Sequence, residues 1–229
     1  MLAAVLEFMA AAGTTAAPQD YHKPPVTPSA DWANPAVLGL MAFGLTTMLA
    51  GIANTSSGWG GGLWNDPGGA GSNLLAMALA FGGALQVIAG VIALRKGEIF
   101  AGTAFVGYGG FWLAYFWIVN NIALIPAAGV AADLMWFSIV WGLFTVAFVI
   151  NAPKHGPGIT AIFAFLTVAF ILLTVNFGMQ VPGQAWASGA PAGWSNFMGL
   201  EIFATGLIAW FVALGILTNA NYGRRLIPI

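Results

Sequence analysis

The 229 residues include no cysteine, so disulfides, thiolate-bound zinc and iron–sulfur centres are excluded at once. Charge is scarce as well: Asp, Glu, Lys and Arg make up 6% of the chain, against the ~25% usual in a soluble domain. With six Lys and Arg, seven Asp and Glu and a net charge of -1, there is no basic field to hold a nucleic acid. The two histidines, His22 and His155, both fall in polar connecting stretches, which leaves no pair at membrane depth to clamp a haem or a copper ion. Neither a metal nor a cofactor is expected. What fills the chain instead is apolar: 59% of its residues are hydrophobic. A soluble enzyme is excluded, and the composition is that of one polytopic membrane protein.

Apolar runs long enough to cross ~30 Å of hydrocarbon at ~1.5 Å per residue occur six times. They cover residues 35–54, 73–94, 100–119, 133–150, 159–179 and 196–217. Backbone polar groups cannot face lipid unpaired, and the runs lack the short alternating pattern of a barrel, so the fold class is all-α with six transmembrane helices. Residues 1–33 differ in kind. They begin Ala-rich and continue with Pro18, Pro24, Pro25 and Pro28, which predicts an extended tail ahead of a transmembrane domain at 34–229. Residues 1–12 carry Glu7 in their apolar stretch and no basic flank, so a short interfacial helix is expected there rather than a signal peptide.

Every Lys and Arg lies in an alternate connection: Lys23 in the tail, Arg95 and Lys96 after the second run, Lys154 after the fourth, Arg224 and Arg225 after the sixth. The positive-inside rule then puts both termini in the cytoplasm, as an even number of spans requires. The opposite loops, residues 57–71 and 183–194, are rich in Gly, Trp and Pro and read either as ordered lids or as linkers with interfacial tryptophans. Glycines seven residues apart, Gly44 and Gly51, Gly83 and Gly90, Gly102 and Gly109, Gly199 and Gly206, each give a helix one smooth face for close packing.

Polar side chains at membrane depth are costly unless paired or lining a water path, so the few present are the candidates. They are Thr46 and Thr47 in the first run, Gln86 in the second, Thr103 and Tyr108 in the third, Thr167 and Asn176 in the fifth, and Glu201 in the sixth. A lone Thr usually bonds a carbonyl of its own helix. Gln86, with two donors and an acceptor, cannot satisfy itself on one helix, so it either lines a pore or bonds a neighbouring helix. Asn34-Pro35 opens the first run as a helix cap whose free N–H groups and dipole could also hold a carboxylate. Catalytic constellations are missing. Asp133 has no acidic partner, no histidine at depth can activate a serine, and the Gly-rich stretch 58–62 lacks the Lys and helix of a phosphate loop. By elimination the chain is a transporter or channel rather than an enzyme.

NPAVLGL at 34–40 resembles the NPAPLGL signature of the acetate uptake transporter family, the acetate/succinate permeases of bacteria and their fungal and archaeal relatives, with Val37 in place of the second proline. FGGALQVIAG at 81–90, KGEIFAGTAFVGYGGFW at 96–112, AWFVAL at 209–214 and NANYGRRLIP at 219–228 carry the likeness across nearly all of the chain beyond the tail. The resemblance implies a homohexamer in the lipid bilayer, each protomer with its own path for acetate or a related carboxylate. It also implies an apolar constriction of a Phe, a Tyr and a Leu, at Phe43, Tyr108 and Leu166. Asn34, Thr46, Thr47 and Gln86 are the expected substrate contacts. Val37 frees a backbone N–H that the signature proline lacks, and Gly107 stands where relatives often carry a serine beside the tyrosine. Two other readings remain open: a neutral-solute channel for urea-like molecules, and a non-transporting subunit of a membrane complex.

Overall fold

The computed structural model describes residues 32–55, 69–126, 129–179 and 192–229. Seven α-helices run through them: α1 Ala36–Thr55, α2 Gly69–Leu79, α3 Gln86–Arg95, α4 Ile99–Asn120, α5 Val130–Asn151, α6 Pro157–Gly178 and α7 Ala192–Tyr222. A π-helical turn, Ala80–Leu85, joins α2 to α3 into one span. Six helical segments are therefore long and apolar enough to cross a membrane, matching the six runs expected. The fourth and sixth reach several residues further than the hydropathy runs, to Val130–His155 and Gly193–Tyr222, because a helix continues into the interface after its apolar core has ended. Residues 1–31 of the expected tail at 1–33, with the interfacial helix at 1–12, and most of the loops at 57–71 and 183–194 lie outside the described residues.

The helices are apolar on every side, so close backbone approach rather than an amphipathic stripe decides how they pair. All four glycine pairs meet one another. α1 and α7, the most extensively packed pair, run antiparallel with Gly44 against Gly206 and Gly51 against Gly199. A methyl group on Gly44 would stand 2.8 Å from the Gly206 carbonyl oxygen, and one on Gly199 would stand 2.7 Å from that of Gly51. The second seam joins α2–α3 to α4, where a methyl on Gly90 would stand 3.0 Å from the Gly102 oxygen and one on Gly109 would stand 3.1 Å from that of Gly83. Large apolar side chains such as Val91, Trp136, Leu143 and Ile171 remain exposed on the outer faces, where lipid would cover them.

After α7 the chain folds back on itself. Asn219 accepts the backbone N–H groups of Leu226 at 2.7 Å and Ile227 at 2.9 Å, and its own amide donates to the Ile227 carbonyl at 2.9 Å. Those three bonds explain why an asparagine belongs at that place in the terminal motif. The backbones of α4 and α5, by contrast, stay apart and the two helices meet through side chains, which leaves a groove where Thr103 and Lys154 stand.

Candidate functional site

Among the described residues, two neighbouring cavities lie inside the bundle. The larger, about 210 Å³, is walled by apolar side chains of α1, α4, α6 and α7, among them Leu40, Ala104, Ile162 and Ile216. The smaller, about 60 Å³, is bounded by Ala50, Asn54, Trp112 and Leu173. Three residues belong to both linings: Phe43, Tyr108 and Leu166. They come from α1, α4 and α6 and are 5%, 3% and 6% exposed. The Phe43 and Tyr108 rings stand 5.6 Å apart, tilted by 58°. These three bulky side chains, the ring that the family resemblance implies as a constriction, lie where the two linings meet.

Tyr108 is held on every side by aromatics, with Phe144 edge-on at 5.3 Å and Phe148 and Phe163 each at 6.1 Å. Its hydroxyl lies 2.8 Å from Thr145 Oγ1. Because the Thr145 hydroxyl itself donates to the Trp141 carbonyl at 2.8 Å, the tyrosine must be the donor in the pair. That use of the proton leaves the ring face, and not a free O–H, as what Tyr108 offers to the path. Gly107 accounts for part of the cage: a Cβ there would meet the Phe144 ring, one of its atoms at 2.9 Å, so the missing serine makes room for the edge-on contact.

Polar groups are few and unevenly placed. Gln86 is 1% exposed, lines the larger cavity, and neither its amide nitrogen nor its oxygen has a hydrogen-bond partner among the described residues. It follows directly on the π turn, a local rewinding of the kind found often at functional sites. Thr46 is fully buried, its hydroxyl unpartnered among the described residues, where a Cβ on Gly82 would lie 2.7 Å from Thr46 Oγ1. It borders neither cavity. Thr47 lines the smaller one while donating to the Phe43 carbonyl at 2.7 Å. Asn34 caps α1, its Oδ1 accepting the Ala36 N–H at 2.9 Å, and Lys96 Nζ donates to the Ala33 carbonyl beside it at 3.3 Å. Ala36, not Asn34, reaches the larger cavity.

The remaining polar candidates stand apart from the path. Thr167 bonds its own helix at the Phe163 carbonyl, 2.7 Å, and Thr103 faces the groove between α4 and α5. Asn176 and Glu201 each keep one buried oxygen without a partner among the described residues, and neither lines a cavity. Thr145, Asn54 and His155 are the residues that sequence reasoning passed over. Thr145 bonds its own helix, as a lone threonine usually does, and also anchors Tyr108. Asn54 sat at the end of a span, and His155 was set aside as part of a polar connection.

No group of His, Cys, Asp or Glu among the described residues is arranged to hold a metal ion. The site can sort a small molecule by girth at the ring and hold one polar end beside Gln86. A fully dehydrated anion would be expensive there, since no Lys or Arg lines either cavity.

Residues 13–223 match the GPR1/FUN34/yaaH family. A protein of Methanothermobacter thermautotrophicus is 35% identical over 204 residues, 86% of this chain and 90% of its own. The succinate-acetate/proton symporter SatP of Escherichia coli K12 is 33% identical over 202 residues, 86% of this chain and 95% of its own. A solved structure of the bacterial acetate channel SatP superposes with a TM-score of 0.69 at 31% identity, covering 86% of this chain and 99% of that one.

Proposed function

The chain belongs to the GPR1/FUN34/yaaH family, the acetate uptake group that its motifs resemble, and we propose that it carries acetate across the cytoplasmic membrane. Succinate and other short monocarboxylates fall within the same reading. The observation that carries it is the ring of Phe43, Tyr108 and Leu166, whose three side chains are common to both cavities. A two-carbon acid needs one polar contact and one small apolar one. Gln86 supplies the first in the larger cavity; Thr47 lines the smaller cavity, and the ring supplies the second contact. Asn34 and the uncapped N–H groups of the first turn of α1 offer a carboxylate a station near the mouth.

In the same reading the transmembrane domain spans 34–229 behind a tail at 1–33. Six protomers assemble, each with its own path, and both termini face the cytoplasm. The larger cavity then opens toward the cytoplasm, because Ala36, Phe100 and His155 line its end beside the Lys96 and Lys154 connections.

Purified protein in liposomes, supplied with labelled acetate at several pH values and membrane potentials, tests this directly. Saturable acetate flux that urea does not compete supports the proposal, and a flux that follows potential rather than pH makes the path channel-like. Absence of flux would return the chain to the role of a non-transporting subunit, and competition by urea to that of a neutral-solute channel.

A further inference from the structure

The rule that located the ring, shared lining, also marks the other end of the larger cavity. An open depression of about 350 Å³ lies in the groove between α4 and α5, lined by Thr103, Asn151 and Lys154 among others. Two residues are common to it and to the enclosed cavity: Phe100 and His155. They stack on each other, ring centroids 3.9 Å apart and planes 21° from parallel. Phe100 is in turn fixed edge-on by Phe148 at 5.3 Å and Phe163 at 5.5 Å. The imidazole therefore stands on a rigid aromatic floor where the enclosed space meets the open one.

Local sequence puts it there. A 3-10 turn, Ala152–His155, ends α5, and Gly156 with φ 101° reverses the chain before Pro157 starts α6. A side chain other than glycine is strained at that φ, so the reversal that throws His155 back onto Phe100 depends on Gly156. The surrounding charge has one sign: Lys154 lines the depression, and no carboxylate lines either space. Of the polar side chains bordering the larger cavity, Gln86 lies deep and Tyr108 spends its proton on Thr145. His155 is the hydrogen-bond donor at the mouth.

We infer that His155 is a specificity-determining residue of the path: its imidazole N–H, seated on Phe100, binds the substrate carboxylate as it passes between the enclosed cavity and the Lys154-bearing depression. This rests on a small carboxylate being the cargo. An anion leaving an apolar cavity recovers part of its lost solvation if a donor receives it before bulk water does, and a neutral solute gains less from the same group.

The test compares H155F, which keeps a flat ring on Phe100, with H155Q, which keeps a donor. In liposomes H155F should carry acetate about tenfold more slowly than the parent, the scale of one lost hydrogen bond to a charged group, while H155Q stays within about threefold. In parallel, the full chain with nitrogen-15 histidine in lipid nanodiscs should show the signal that is absent from H155F moving saturably with sodium acetate and not with sodium chloride. That titration needs no variant to be active. H155F flux equal to the parent's, equal losses in both variants, or a signal that responds to anionic lipid and not to acetate would each overturn the inference. A parent that carries no acetate at all would instead sink the transport reading on which it rests.

Discussion

Tyr108 and Thr145, 37 positions apart on α4 and α5, share a buried hydrogen bond of 2.8 Å that turns the tyrosine's only proton away from the path. The bond fixes the aromatic face of Tyr108 against Phe43, so the width of the ring depends on a helix that contributes nothing to the ring itself. Aromatic contacts accompany that bond between the two helices, among them Phe144 on Tyr108 and Trp141 on Phe111.

Replacing Thr145 with Val keeps its shape and removes the acceptor. A buried hydroxyl without a partner costs about 1 kcal/mol or somewhat more, so the variant should unfold correspondingly earlier in denaturant. Its selectivity should also loosen, since the Tyr108 ring is no longer pinned. Discrimination between acetate and a four-carbon acid, measured in liposomes, checks the second effect, and unchanged discrimination means that the aromatic cage alone holds the ring.

Phe43→Ala or Tyr108→Ala should widen the ring, admit larger acids and leave the bundle assembled. Uptake of labelled butyrate relative to acetate is the measurement. If both variants reject the larger acid as the parent does, the ring is not the filter.

The glycine seams predict stability. Gly44→Val would push a side chain onto the Gly206 carbonyl, where backbone cannot yield, and should cost roughly 1–3 kcal/mol or prevent assembly. Gly110→Ala meets nothing within 4 Å and should be neutral or slightly stabilising, as a glycine is lost from a helix interior. Melting temperatures in detergent compare the two.

Asn34→Leu removes the cap on α1 and costs about 1 kcal/mol if capping is its whole role. A carboxylate station at the mouth predicts more: acetate flux per folded protein should fall. Equal flux from equal amounts of folded protein would confine Asn34 to the cap.

Orientation can be read chemically because the chain has no cysteine of its own. Cysteines placed at Lys154 or Arg225 should be shielded from an impermeant thiol reagent in intact cells, and cysteines at Gly61 or Ala187 should react. Reversed labelling would turn the larger cavity outward and with it the proposed direction of the Asn34 mouth.

What the amino-acid sequence determined by itself was the number of spans and the class of fold. Both follow from run length, scarcity of charge and the need of backbone groups for partners in lipid, and none of these depends on which helix meets which. Spacing also revealed the four smooth glycine faces, and local chemistry revealed the Asn34 cap. The ring residues were legible only through likeness to relatives, since Phe43, Tyr108 and Leu166 sit in helices that are apolar on every side, with no stripe to separate an inward from an outward position. Tertiary structure alone decided that Gly44 meets Gly206 and Gly90 meets Gly102, that Thr145 takes the Tyr108 proton, and that His155, in the turn after α5, stacks on Phe100 at the edge of the larger cavity. Each joins segments from different helices, and in a bundle without an amphipathic code the pairing is chosen by backbone approach and side-chain shape, which exist only once the helices are side by side.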